Sequence, residues 1–308
     1  MARLIFNRLI SAIFVVLGVS IICFAILALA PGDPTQLILP DSAPQAERDK
    51  LREELGLNEP LPERYLLYIG NVLKGDLGTS YTYKQPNSEL IFQKLPHTFL
   101  LATSAMLLSL LIAIPLGILA GVKRGSLTDV FSMFFGMLGQ SLSPVWLGIL
   151  LIYIFSVKLS MLPPFGAESP LSIIMPSITL GIPLAALITR LTRAGMIDVL
   201  SEDFITATKA KGITNRKIVF KYAFKNVIIP IVTVVGLQFA GNIGGSIVTE
   251  EIFAWPGIGR LFATAIYNRD YPLIQSIMLV LSTVMVLINL SVDILYTFID
   301  PRLRESRT

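Results

Sequence analysis

Few side chains in this sequence are equipped for covalent or redox chemistry, and they are scattered. One histidine, His97, and one cysteine, Cys23, leave no multi-histidine or Cys-based metal site and no internal disulfide. There is no Gly-x-Ser-x-Gly elbow, no two-histidine zinc motif and no Gly-x-x-x-x-Gly-Lys-Ser/Thr phosphate loop. His97 follows Pro96 at the start of an apolar run and is read as an interfacial helix-start residue, since no orienting partner stands near it in sequence. Asp293 lies within an apolar stretch and would suit a proton relay. A relay needs a second buried acid or histidine, so pairing with a basic residue or with interfacial water is the other reading. The expectation is a chain with no catalytic residue, no metal and no cofactor of its own.

What remains is non-covalent chemistry. A charged run, Glu202-Asp203-Phe204-Ile205-Thr206-Ala207-Thr208-Lys209-Ala210-Lys211-Gly212, interrupts an oily chain, and Ile229-Pro230 follows it. Ser201 is a good N-cap, and Glu202 and Asp203 favour the positive end of a helix dipole. That helix is expected to end at Gly212, and Thr214 to cap a second one. There Lys217, Lys221 and Lys225 recur every fourth residue, with Val219, Ala223 and Val227 on another face. Two short helices hinged at Gly212 would form an elbow able to receive force. The alternative is a basic loop that merely marks topology or lies on anionic lipid.

Two other constellations stand out. Gln238, Asn242 and Ser246 recur at i, i+4 and i+8 with Gly241 and Gly245 beside them. Such a stripe lines an aqueous path, or it packs helices closely through its glycines. Further on, Trp255-Pro256-Gly257 and Tyr271-Pro272 are rigid turns beside aromatics, suited to anchoring a re-entrant loop at the membrane–water boundary.

These residues must be positioned by membrane helices. The 308 residues are 53% hydrophobic and only 15% charged, with mean hydropathy +0.69; soluble domains carry about 25% charge. Six apolar spans are expected, near Leu9–Ala30, His97–Val122, Val130–Lys158, Leu171–Arg190, Val227–Thr249 and Leu273–Ile299. Pro115, Pro144, Pro176 and Pro183 should kink or end helices. Ala28-Leu29-Ala30 resembles a signal-peptidase site, but the apolar run before it is too long for a signal core and is read as a retained span. Lys and Arg gather beside Arg3, Arg8, Lys123, Arg124 and the run around Lys209–Lys225, which puts both termini in the cytoplasm. The net charge of +4 reports this topology, with no nucleic-acid partner implied.

The chain is thus divided into a first span (1–30), an external segment (31–96) and a five-span core (97–308). The core holds a cytoplasmic loop (191–226) and an external loop (250–272). In the external segment, Ala43–Leu55 is helix-prone with Gly56 as C-cap, and Pro62–Leu73 is amphipathic and ends near Gly75. Too few large apolar residues lie there for an independent core, so it should lean on the spans or on a partner.

Thr206-Ala207-Thr208-x-x-x-Gly212 with Ile229-Pro230 resembles the "EAA" loop of ABC importer permeases. The whole chain is similar to the dipeptide/oligopeptide/nickel branch, through Ala30-Pro31-Gly32-Asp33-Pro34, Leu55-Gly56-Leu57-Asn58 and Gly75-Asp76-Leu77-Gly78-Thr79-Ser80. So are Lys123-Arg124-Gly125-Ser126, Glu251 to Arg260, Asp270-Tyr271-Pro272 and Asp300-Pro301-Arg302-Leu303-Arg304. The large first external segment resembles the "B"-type permease subunit.

The resemblance implies an all-α membrane protein of six transmembrane helices with the type I ABC importer permease fold and a small external domain between the first two spans. Glu202, Asp203, Thr206, Ala207, Thr208, Gly212 and Lys217 would couple to a separate ATPase. Gln238, Gly241, Asn242 and Ser246 would line the path. Glu251, Phe253, Trp255, Pro256, Asp270 and Tyr271 would form the external gate and meet a substrate-binding protein. Partners would be a second permease, two ATPases carrying ATP and Mg, and that binding protein, at a bacterial or archaeal plasma (inner) membrane. Short peptides are the expected solute, with nickel chelates, glutathione or another small solute as alternatives. An ion-gradient-driven secondary transporter is the rival of a different class.

Overall fold

The computed structural model describes residues 2–29, 35, 44–54 and 59–299, without the side chains of 2–5, 7, 28, 51, 54 and 295–299. The 30–34, 55–58 and 300–304 motifs, and the expected Gly56 cap, lie outside the described residues. The chain divides into two compact units: Met1–Thr98 with Pro256–Leu287, and Phe99–Trp255 with Ile288–Thr308.

In the first unit, α1 (Ala2–Leu29) is apolar nearly throughout. It is followed by α2 (Gln45–Glu54) and α3 (Leu61–Leu73), and Gly75 takes the positive φ of +86° that ends α3 without a Cβ penalty. The segment between α1 and the next long helix packs against α1. The Tyr65 hydroxyl hydrogen-bonds that of Ser20 on α1 at 2.7 Å, and Tyr65 meets Phe24 edge to face at 5.4 Å. Burial holds the Tyr68 phenol well above its ordinary pKa.

α4 (Asn87–Val122) starts well before His97. His97 and Pro96 therefore lie inside a helix and not at its start. The cause is Asn87: its N–H donates to Gly78 O at 2.9 Å and its amide to Leu77 O at 2.9 Å, which nucleates the helix from the preceding loop. The same unit contains α11 (Ile258–Tyr267) and the beginning of α12 (Tyr271–Ile299).

In the second unit, Ser126 caps α5 (Leu127–Ser141) by accepting the Asp129 N–H at 3.4 Å. α6 (Pro144–Leu151) runs on as a π-helical stretch to Lys158. The expected third span is therefore broken, bent by 102° between Ser141 and Pro144. Pro144 acts as anticipated, opening a new helix where its missing N–H costs nothing. Pro115 and Pro183 end no helix: α4 and α7 (Ile174–Leu200) continue through them, as packed membrane helices permit. Pro176 sits near the start of α7, in its first turn. Among the described residues five helices are long and apolar enough to cross a membrane, or six if the bent pair is one span.

α7 is the centre of this unit, and glycines on neighbouring helices set its distances. A Cβ on Gly117 of α4 would stand 2.5 Å from Thr192 Cβ, and one on Gly121 2.5 Å from Met196 Cβ. On α5, a Cβ at Gly139 would stand 2.8 Å from Ala186 Cβ. Gly117→Val is expected to destabilise by about 1–3 kcal/mol through overpacking, read as a lower unfolding midpoint in detergent; an unchanged midpoint would show that the helices can part.

Candidate functional site

The elbow follows directly from α7. Ser201 does not cap the next helix; it closes α7, with its hydroxyl donating to Asp198 O at 2.7 Å. The residue before α8 (Asp203–Ala210) is Glu202, which makes no side-chain cap. α8 is fastened on one side only. Ile205 is fully buried among Met196, Ile218 and Ala223, and Thr208 turns inward to donate to Phe204 O at 2.6 Å. Glu202, Asp203, Phe204, Thr206, Ala207 and Ala210 are exposed. Gly212 has φ +76°, and its N–H closes α8 onto Lys209 O at 2.9 Å.

The second arm is not a short separate helix. A single α turn (Asn215–Lys217) and a π turn (Ile218–Ala223) lead without interruption into α9 (Phe224–Gly245). The π turn reconciles the spacing, because Ile218, Ala223 and Val227 are all buried while Lys217, Lys221 and Lys225 remain exposed. Pro230 lies inside α9, so the end of the motif belongs to a span. A cleft of about 400 Å³ opens beside the elbow, lined by Gly121 of α4, Arg124 in the turn after it, Leu200, Ser201, Lys209 of α8 and Asn215 among others.

On α9, Gly241 and Gly245 are exposed, with open space beyond Gly245. Among the described residues, no other helix makes the close approach they permit. Gln238 and Asn242 are half-buried, whereas Ser246 is buried and donates to Glu250 Oε1 at 2.9 Å. Glu250, in α10 (Ile247–Ile252), is fully buried.

The next residues alternate. Glu251 is exposed, but Phe253 packs against Leu147, Leu151 and Met175, and Trp255 against Leu101, Ala105 and Leu180. Ala254, at φ +48°, makes the turn that sends both aromatics inward, and the Trp255 N–H donates to Glu250 O at 2.8 Å.

In the first unit, Pro256 and Tyr271 are half-buried and Asp270 is fully buried. The Asp270 carboxylate accepts from Ser80 Oγ at 2.5 Å, from the N–H of Tyr81 at 3.2 Å and Thr82 at 3.0 Å, and from Leu273 N–H at 3.3 Å. One carboxylate thus caps α12 and gathers the 80–82 turn. Burial pushes the Tyr81 phenol above its ordinary pKa, and the Asp270 charge adds to the shift. Nearby, Ser276 Oγ donates to Leu77 O at 2.7 Å. No cluster of metal-ligating side chains occurs among the described residues.

The family model for the binding-protein-dependent transport system inner membrane component matches residues 113–305. The chain belongs to that family. A companion model for the N-terminal part of such membrane components matches 1–102. The oligopeptide transport system permease protein AppB of Bacillus subtilis (strain 168) is 38% identical over 98% of this chain and 99% of that protein. The dipeptide permease DppB of Alkalihalophilus pseudofirmus is 41% identical over 97% and 98%, and the glutathione permease GsiC of Pectobacterium atrosepticum 41% over 97% and 97%. A solved structure of the inward-facing MetNI methionine ABC transporter superposes with a TM-score of 0.58, at 18% identity, over 69% of this chain and 97% of that one. The chain therefore has the fold of a type I ABC importer permease. It is a membrane-embedded permease subunit and not an enzyme.

Reading the sequence alone left three parts of this permease unnoticed. Phe204 is exposed beside the residues expected to couple, and its place between two charges and Ile205 hid it. Asp129 was detectable as the fourth residue of Ser126-x-x-Asp129, a helix-capping pattern. Ser80 belonged to a quoted motif, but its partner Asp270 is far along the chain.

Proposed function

We propose that this permease forms one half of a path for short peptides and is driven through α8 by a separate ATPase. The carrying observation is an anchored helix with an outward face. Ile205 and Thr208 fix it, leaving Phe204, Thr206 and Ala207 free to dock, with Glu202, Asp203 and Lys217 as a charged rim and Gly212 as the hinge. ATP favours one conformation only through differential binding to the two states, so the helix that meets the ATPase must be rigidly joined to the spans. The full assembly would comprise a second permease, two ATPases holding ATP and Mg, and a binding protein, with both termini of this chain in the cytoplasm of a bacterial or archaeal cell.

Gln238, Gly241 and Asn242 are proposed to face the path, whereas Ser246, buried on Glu250, is proposed to hold the end of α9 in place. Glu251, Pro256 and Tyr271 are proposed for the external surface, where Phe253, Trp255 and Asp270 act by shaping the backbone. The peptide assignment rests on the names of the relatives, since oligopeptides, dipeptides and glutathione are all peptides. Nickel chelates or another small solute would use the same role.

Pull-down from detergent-solubilised membranes followed by mass spectrometry tests the assembly. Recovery with a second permease, ATPases and a binding protein is expected, and the ligand on that binding protein names the solute; recovery of the chain alone would sink the reading. Ala207→Arg should weaken ATPase association by about 2 kcal/mol or more, as at an interface hot spot, with unchanged unfolding. Retained association would move the docking surface elsewhere.

A further inference from the structure

We infer that the Asp129–Arg193 ion pair is the rigid tie through which force received at α8 enters the membrane helices. The inference rests on docking of an ATPase at α8. Arg193 lies on α7, shortly before the elbow. Its Nε donates to Asp129 Oδ1 and its Nη2 to Oδ2 at 2.9 Å, a planar two-point grip. The same Oδ2 accepts the Gly125 N–H at 2.9 Å, so one carboxylate joins α7, the start of α5 and the turn after α4.

The neighbouring contacts leave no room for α7 to slip. Thr192 and Met196, on either side of Arg193, rest on Gly117 and Gly121, while Arg190 methylenes rest on Gly136. The pair is shielded, with side-chain exposures of 22% for Arg193 and 7% for Asp129. Shearing α7 against α5 would break two parallel bonds where water cannot easily replace them. A cleft of about 400 Å³ lies beside the elbow, lined by Gly121, Arg124, Leu200, Lys209 and Asn215 among others, while Ile205 of α8 is buried in one cluster with Met196 of α7. A push on α8 therefore enters α7 through Ile205 and meets the fixed joint at Arg193, so that α4, α5 and α7 move as a block.

A merely stabilising pair would affect folding alone, so the test reads coupling. Asp129→Asn with Arg193→Gln removes both charges and leaves neither buried and unpaired. In the assembled importer in lipid vesicles, a Leu237→Cys reporter on the open face of α9 is labelled with N-ethylmaleimide, in a Cys23→Ala background, with and without ATP and vanadate. The expected result is normal ATPase association and hydrolysis, with an ATP-dependent labelling change reduced about fivefold or more, the lower range of a site–site coupling. Arg193→Lys keeps the charge but loses the planar fork; it should show the same loss in part, even if the double variant fails to accumulate. An equal labelling change with and without the pair overturns the inference. Loss of ATPase association in the altered protein alone also overturns it, because the pair would then act at docking. If the unaltered chain binds no ATPase, the docking reading fails first and takes this inference with it.

Discussion

Trp255→Ala is expected to cost about 3–5 kcal/mol of stability, the range for emptying a packed aromatic site. Trp255 is 3% exposed and fills the space between Leu101, Ala105 and Leu180. Its backbone is held by the bond to Glu250 O. Thermal unfolding in detergent should show a large drop in midpoint, with transport lost in parallel, and Trp255→Phe should recover part of both. If Trp255 instead touches a binding protein, the alanine variant would unfold normally and lose only stimulation by that protein.

Asp270→Ala should be comparably severe, for a different reason. It strips a shared acceptor from Ser80 Oγ and from the backbone N–H groups of Tyr81, Thr82 and Leu273. Hydrogen bonds to a charged group contribute about 1.5–3 kcal/mol each, and unpaired buried donors keep their desolvation cost, so a loss of about 3 kcal/mol or more is expected. The 77–86 loop should become sensitive to limited proteolysis. Ser80→Ala should cost less, and the double variant Ser80→Ala/Asp270→Ala should cost less than the sum, as a shared bond requires. Strict additivity would refute the hub. In each unit, then, a buried anchor shapes the backbone beside it.

Much of the fold was legible because a bilayer leaves few options. Long apolar runs must be helices, since unpaired backbone groups are untenable in hydrocarbon. α1 and α3 appear where hydrophobicity and turn residues put them. Helix ends were read less well where a capping partner is remote or several candidates compete. α4 begins early because Asn87 binds Leu77 and Gly78, and Ser201 ends one helix where it might equally have begun another. The second arm of the elbow was mistaken for a short helix because a π turn shifts the spacing of Ile218 and Ala223 by one residue.

By itself, the sequence determined the class of protein, its long apolar helices and the place of the charged elbow with its turn at Gly212. Each follows from local pattern: hydropathy, charge, and a positive φ that glycine accepts freely. Only the tertiary structure decided which side of each residue is used. It turned Thr208 and Ile205 inward and Ala207 outward, sent Phe253 and Trp255 into the core, and joined Asp129 to Arg193 and Ser80 to Asp270. The physical reason is the same in every case. A side chain's role is set by the atoms that replace water around it, and for Trp255, Asp129 and Ser80 those atoms come from segments far away in the chain.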